Sequence, residues 1–353
     1  MNDFLSKKLT FFSFWLMVLV VLLHSLNIDY KSCDTFLCTV QYLLSLKLAE
    51  VAVPLFFFVT GYLYFLKTDI TKKLDVTFFI NNTKKRFRTI LAPYILWCVF
   101  WFLFLYSIQL LPVVKNYFSK PLYRMTVTEQ FFYLVIEPLN YPFWFLRELM
   151  LILLITPVVF LLIKYFKIKI LVLLFFSAFF MKSLYQINGI SIYIIIPLFY
   201  FSSGAFFSLH KINLLFKAKR LIAFLLLSSW LGLNLISIYC EKYAGNGLII
   251  MGIINLIKDL TGIIAIWYTY DLFNTQKQWR NYNFYRYSFF IFAFHGIPTT
   301  ILVKMSNFQF TNQYYIFISY IGIFVFMVIF SILLGKITAK LTPSAYKIIT
   351  GSR

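Results

Sequence analysis

FFSFWLMVLVVLL, residues 11–23, contains no charged side chain, and His24 follows it directly. With its neighbours it forms an apolar stretch over about 10–28, enough for a helix to cross a hydrocarbon core, which takes about 20 residues. An ionisable group at the end of such a run is costly unless it is paired or wetted. His24 therefore either works in a polar cavity or is packed at the membrane interface. At 1.5 Å of rise per residue it lies roughly 6 Å below the outer end of the span.

The same character extends over the whole chain. Its 353 residues are 61% hydrophobic and 22% aromatic, with a mean hydropathy of +0.81. This composition excludes a soluble domain and reads as transmembrane helices. Further apolar stretches cover about 48–66, 90–111, 143–163, 168–183, 190–209, 221–239, 249–270, 287–304 and 313–335. The expected fold is all-α, a polytopic transmembrane helix bundle of about ten spans. One integral-membrane domain is expected over residues 1–353, with its core at about 8–335. Lys7 and Lys8 precede the first apolar run as in a signal peptide, but the run ends in His24-Ser25-Leu26-Asn27 without a small-x-small cleavage site, so a retained helix is expected.

Lys and Arg total 33 against 12 Asp and Glu, a net charge of +21. In a soluble protein this would suggest nucleic acid. Here the cations flank apolar runs, so topology and anionic lipid account for them and no nucleic-acid partner is expected. With the N-terminus inside, inner segments hold 23 basic residues and outer segments eight. An even number of spans then puts both termini on the cytoplasmic side. Cys33, Cys38, Cys98 and Cys240 show no CxxC or Cys/His spacing, so no metal site is expected. Cys33 and Cys38 share one short outer loop, as a disulfide or as two free thiols. The longest outer loop, about 112–142, carries Tyr117, Phe118, Tyr123, Phe131, Phe132 and Tyr133, which suits an interfacial helix or a lid over an outer cavity.

Several other ionisable groups lie at membrane depth. Arg147 is about four residues from the outer end of its span, Glu50 opens the second span on the same side, and Glu148 neighbours Arg147. Such groups face one another or water rather than lipid, as a working site or as ion pairs that hold helices together. Adjacent helical residues point about 100° apart, so Arg147 is expected to face another helix rather than Glu148. His295, in FAFHGIP, precedes Gly296 and Pro298, which are expected to weaken the helix there. Its role is packing or substrate contact. Lys258 and Asp259 form a buried pair or line a polar tunnel. A neutral histidine can take a proton from a hydroxyl attacking an acyl carbon, and an arginine can stabilise the resulting oxyanion. The same groups also suit proton-coupled transport.

Local motifs add to this. KKLTFFSFWLMVLVVLLHS (Lys7 to Ser25), VPLFFFVTGYLY (Val53 to Tyr64), KKRFRTILAPYILW (Lys84 to Trp97), YPFWFLRELM (Tyr141 to Met150), YFSSGAFFS (Tyr200 to Ser208) and FFIFAFHGI (Phe289 to Ile297) occur in this order. Together they resemble the membrane acyltransferase 3 family of integral-membrane sugar O-acyltransferases. The resemblance implies ten or so helices in a bacterial plasma membrane. It also implies acyl-coenzyme A as co-substrate, with no cofactor, and a glycan or glycolipid hydroxyl as acceptor, acetyl being the expected acyl group. It carries over His24 as base and Arg147 as its catalytic partner. Glu50, Gly61, Trp144 and His295 are expected on the substrate side. Many members have an arginine eleven residues before the histidine. Here that position is Ser13, with Arg147 or Lys8 as substitutes, and Thr60 replaces a motif serine. The basic stretch Lys84, Lys85, Arg86 and Arg88 follows from positive-inside topology, and it also suits capture of the donor's phosphates. Acyl-coenzyme A is cytoplasmic and His24 lies in the outer half, so the acyl arm is expected to thread in from inside. Two other functions remain open: a transporter of a lipid-linked sugar or acyl group, and a non-catalytic subunit of a polysaccharide synthesis complex. The oligomeric state is open.

Overall fold

The computed structural model describes residues 3–29, 35–73, 75–111, 120–188, 194–243, 249–273, 283–309 and 312–352. In chain order its helices are α1 (Asp3–His24), α2 (Phe36–Tyr42), α3 (Ala52–Phe65), α4 (Val76–Gln109), α5 (Val127–Phe131), α6 (Trp144–Leu154) and α7 (Thr156–Phe166). There follow α8 (Ile168–Asn188), α9 (Ile195–Leu209), α10 (Arg220–Tyr243), α11 (Ile249–Phe273), α12 (Ser288–Gln309), α13 (Gln313–Leu341) and α14 (Pro343–Ile349). Among the described residues there is no strand. Among the described residues seven helical segments are long and apolar enough to cross a membrane, and eight if the bent pair α6–α7 counts as one span. The expected spans at 168–183 and 190–209 correspond to α8, of 21 residues, and α9, of 15. At 1.5 Å per residue α9 is roughly 22 Å long, short of a hydrocarbon core of about 30 Å.

Two spans differ in shape from the expectation. The second begins well before residue 48: α2 leads through a π-helical turn, Leu43–Leu48, and a 3-10 turn, Ala49–Val51, into α3. Every residue there is compatible with helix, so the apolar pattern does not reveal the change of pitch. Glu50 sits in the irregular part. The fourth span, expected as one run over 143–163, is bent by 62° between α6 and α7. Pro157 has no N–H to continue the α6 ladder and disfavours helical geometry in the residue before it.

α12, in contrast, runs unbroken through Gly296 and Pro298. Pro298 leaves a gap in the ladder. Local hydroxyls satisfy nearby carbonyls: Thr299 Oγ1 donates to His295 O at 2.6 Å and Thr300 Oγ1 to Gly296 O at 2.9 Å.

α1 packs against α3, α12 and α13 and is the centre of the bundle. α3 and α9 cross at backbone contact. A carbon built on Gly61 would lie 2.0 Å from the carbonyl oxygen of Phe201, and one on Gly204 would lie 1.9 Å from that of Phe58. Only hydrogen fits at either place, as in close helix crossings within membranes.

Cys38 lies in α2 and is disulfide-bonded, while Cys98 and Cys240 are free; Cys33 lies outside the described residues. Of the long outer loop, Tyr117 and Phe118 also lie outside them. Its described part, from residue 120 on, holds a 3-10 turn, Leu122–Arg124, then α5, opened by a capping box of Thr126 and Glu129, and a π-helical turn, Phe132–Ile136. Val127, Phe131, Phe132 and Ile136 are exposed. This apolar face suits the membrane interface. The end of the same loop, Tyr141 and Pro142 in a 3-10 turn leading into α6, borders the cavity that His24 lines.

Candidate active site

His24 is the last residue of α1 and is half-buried. It borders a cavity of ≈ 440 Å³ together with Glu50, Tyr141, Trp144, Lys182 and Tyr200. Its ring lies 5.4 Å from that of His295 and 6.0 Å from that of Tyr141, measured between centroids. His295 is fully buried. Its Nδ1 is 2.9 Å from the carbonyl of Ile291, which can only accept, so the proton is assigned to Nδ1. Nε2 is then a lone-pair acceptor, and it has no hydrogen-bond partner among the described residues. Two imidazoles, from the first and twelfth helices, thus meet at one level of the bundle.

The opposite wall of this cavity is ionic. Lys258 Nζ donates to Glu50 Oε2 at 2.6 Å and lies 3.7 Å from Asp259 Oδ1. Lys182 donates to Asp259 Oδ2, which also accepts from Tyr200 OH at 3.4 Å. The Lys258 side chain is 1% exposed, that of Glu50 47%. Because Glu50 borders the cavity, the accessible part of its carboxylate is offered to a bound molecule. Behind this wall, Lys47 donates to Glu241 Oε1 at 2.7 Å and to Ser237 Oγ at 2.9 Å. Buried charges of both signs are thus matched by direct pairing, which an apolar surround requires.

A second cavity, of ≈ 520 Å³, lies on the α1 N-terminal side of the first and is bordered by Thr10, Ser13, Thr60, Arg86 and Arg286. Met17 from α1, Phe56 from α3, Phe145 from α6 and Phe292 from α12 border both cavities. Three of them form a continuous aromatic line: Phe56 and Phe145 centroids are 5.8 Å apart, Phe145 and Phe292 6.1 Å. A third cavity of ≈ 350 Å³ is bordered by Lys67, Lys85 and Arg86.

The expected site residues are distributed unevenly over this geometry. His24, Glu50 and Trp144 border the first cavity, with His295 directly behind His24. Gly61 holds the α3–α9 crossing and borders none of the three cavities. Arg147 is 27% exposed and also borders none of them. Contrary to expectation it pairs with its neighbour: Nε and Nη2 donate to Glu148 Oε1 at 3.2 and 3.0 Å, and Nη1 to the Ile136 carbonyl at 2.7 Å. The 100° separation applies to Cβ directions, and an arginine side chain is long enough to fold back across it. Of the basic stretch, Arg86 borders the second and third cavities and Lys85 the third, while Lys84, Lys85 and Arg88 are exposed. Lys8 cannot substitute at Ser13: it is fully buried, bound to Asp271 at 2.8 Å and seated 4.2 Å over the Trp267 ring. Beside Ser13 the second cavity instead carries Arg86 and Arg286. Lys182, Tyr200 and Arg286 were not singled out from sequence. A lysine in an otherwise apolar run, as at Lys182, was the signal that could have found the first.

The family model described as Acyltransferase domain matches residues 10–336. Among curated proteins the chain is similar to the succinoglycan biosynthesis protein ExoH of Rhizobium meliloti (strain 1021). The two are 31% identical over 176 residues, covering 48% of this chain and 43% of the relative. The match thus spans less than half the length of that relative. No solved structure matches the chain.

Proposed function

The chain belongs to the acyltransferase 3 family, and on that premise we propose that it moves an acyl group from acyl-coenzyme A to a hydroxyl of an envelope glycan or glycolipid, with His24 as general base. The observation that carries this reading is that His24 borders the first of two cavities joined through four shared lining residues; with both termini inside, the first is the outer cavity and the second the inner. The donor enters the inner cavity from the cytoplasm of a plasma-membrane protein with both termini inside. Arg86 and Arg286 hold its phosphates there, as guanidinium forks suit phosphate. The acceptor occupies the outer cavity, where Trp144 and Tyr141 offer ring faces and Glu50 accepts from sugar hydroxyls. A relative named for succinoglycan biosynthesis fits a polysaccharide acceptor.

The chemistry needs no acyl-enzyme. The acceptor oxygen attacks the thioester carbonyl carbon while its proton passes to the free nitrogen of His24. Collapse of the tetrahedral intermediate breaks the C–S bond, and the imidazolium returns the proton to the departing thiolate. The products are an ester and coenzyme A. His295 acts as a positioning residue: its ring lies 5.4 Å from that of His24 with Nε2 unpartnered, so a small closure of the two rings in the loaded protein would let Nε2 accept the single N–H of His24 and leave the basic nitrogen facing the cavity.

The test is acylation of vesicle glycans by the intact protein and by His24→Ala. A positioned base contributes about 100- to 10,000-fold, so the variant should lose that much transfer while remaining folded in the membrane. Unchanged transfer by His24→Ala would remove His24 from the chemistry. Translocation of glycolipid in vesicles without donor, with no acylation, would replace this reading by transport.

A further inference from the structure

We propose that Met17, Phe56, Phe145 and Phe292 form the constriction that selects the acyl group, passing short uncharged acyl groups and rejecting carboxylated ones such as succinyl. This rests on the acyl-transfer reading above. Each of four helices supplies one of these side chains, and among the described residues these four are common to both cavities. No side chain of the four carries a charge or a hydrogen-bonding N–H or O–H. The three rings form a connected edge, with centroid spacings of 5.8 and 6.1 Å. Met17 closes the fourth side with a flexible thioether that adapts to what passes.

A donor held by its phosphates on the inner side meets this collar with its acyl end leading. From Met17 to His24 is seven residues of helix, roughly 10 Å, so the thioester carbonyl reaches His24 only when the acyl group is wholly beyond the collar. A carboxylate at that leading end would cross an apolar ring stripped of water. It would then enter a chamber bordered by Glu50 and Asp259, whose bordering cation among the described residues, Lys182, is already engaged by Asp259. Behind it, Arg86 and Arg286 hold the same carboxylate back on the inner side. Three of the four shared side chains are rings, so ring truncation is the substitution expected to widen the passage.

The experiment uses membrane vesicles carrying the full-length protein and the cell's own acceptor, supplied in turn with acetyl-, butyryl- and succinyl-coenzyme A labelled in the acyl carbon. Ester-linked label in glycan is counted. The expected preference for acetyl over succinyl is about 100-fold in kcat/KM, the factor that matches placing one charge at membrane depth. Phe145→Ala, and the gentler Phe145→Leu should the first fail to fold, should raise the butyryl-to-acetyl ratio about 10-fold, the scale of a pocket's discrimination by methylene groups. Succinyl transfer as fast as acetyl transfer overturns the proposal. So does a butyryl-to-acetyl ratio that stays fixed in Phe145→Leu and Phe56→Leu while transfer persists. Transfer from none of the three donors sinks the acyltransferase reading itself, and the collar's role with it.

Discussion

Gly61→Ala adds one carbon where α3 meets α9, and the structure fixes what that carbon encounters. It would lie 2.0 Å from the carbonyl oxygen of Phe201 and 2.8 Å from its carbon, whereas ordinary contact begins near 3.4 Å. Both neighbours are backbone, so no rotamer change relieves the overlap, and the helices must part by more than 1 Å at their point of closest approach. Gly204→Ala meets the Phe58 carbonyl at 1.9 Å from the other side of the same crossing. Overpacking of this kind costs about 1–3 kcal/mol, and a crossing of two backbones belongs at the upper end. Against it stands a gain of up to about 1 kcal/mol from replacing a helical glycine by alanine. The net loss is about 2 kcal/mol, a fall of roughly 3 °C in the unfolding midpoint of a chain this long. The two substitutions should not add, because parting the helices for one admits the other. Gly232→Ala and Gly322→Ala, with nothing within 4 Å of the added carbon, supply the control and should be neutral or stabilising. The assay is thermal unfolding of the purified protein in detergent, followed by intrinsic fluorescence. If Gly61→Ala melts with Gly232→Ala, the backbone contact is not as described and the placement of α9 fails with it.

Two further predictions concern charge. Lys258→Met leaves Glu50 without its 2.6 Å partner and should destabilise by about 2–3 kcal/mol, below the full cost of orphaning a buried charge because Glu50 is open to the cavity; adding Glu50→Gln should recover most of the loss, and a double variant no better than the single would refute the pairing. Arg86→Ala should raise KM for acetyl-coenzyme A about 10-fold or more with little change in kcat, the loss of one charge-assisted contact, while Lys84→Ala, exposed and away from the inner cavity, should leave KM unchanged; equal effects would return the basic stretch to topology alone.

The bundle itself was legible because bilayer thickness acts on composition: a charge-free run such as residues 11–23 has few alternatives to a spanning helix. His24 was legible for the same reason, as the exception within the pattern. What escaped was set by geometry between helices. Phe56, Phe145 and Phe292 are three of 44 phenylalanines, and nothing local distinguishes those that meet on a common axis. Pro157 marked the bend after α6, yet the apolar run continued past it and masked the break. The Arg147–Glu148 pair escaped because helical-wheel angles describe where side chains leave the backbone, not where long ones end.

Lys8 and Asp271 lie 263 residues apart in the chain, and this separation bears on biogenesis. While α1 is being made, the ammonium of Lys8 lacks its Asp271 partner, which arrives only with α11. The first helix is therefore locked to its ion-pair partner only after α11 has been made. A chain halted before residue 271 would keep α1 unlocked. Its loose end is where quality-control proteases should first take hold.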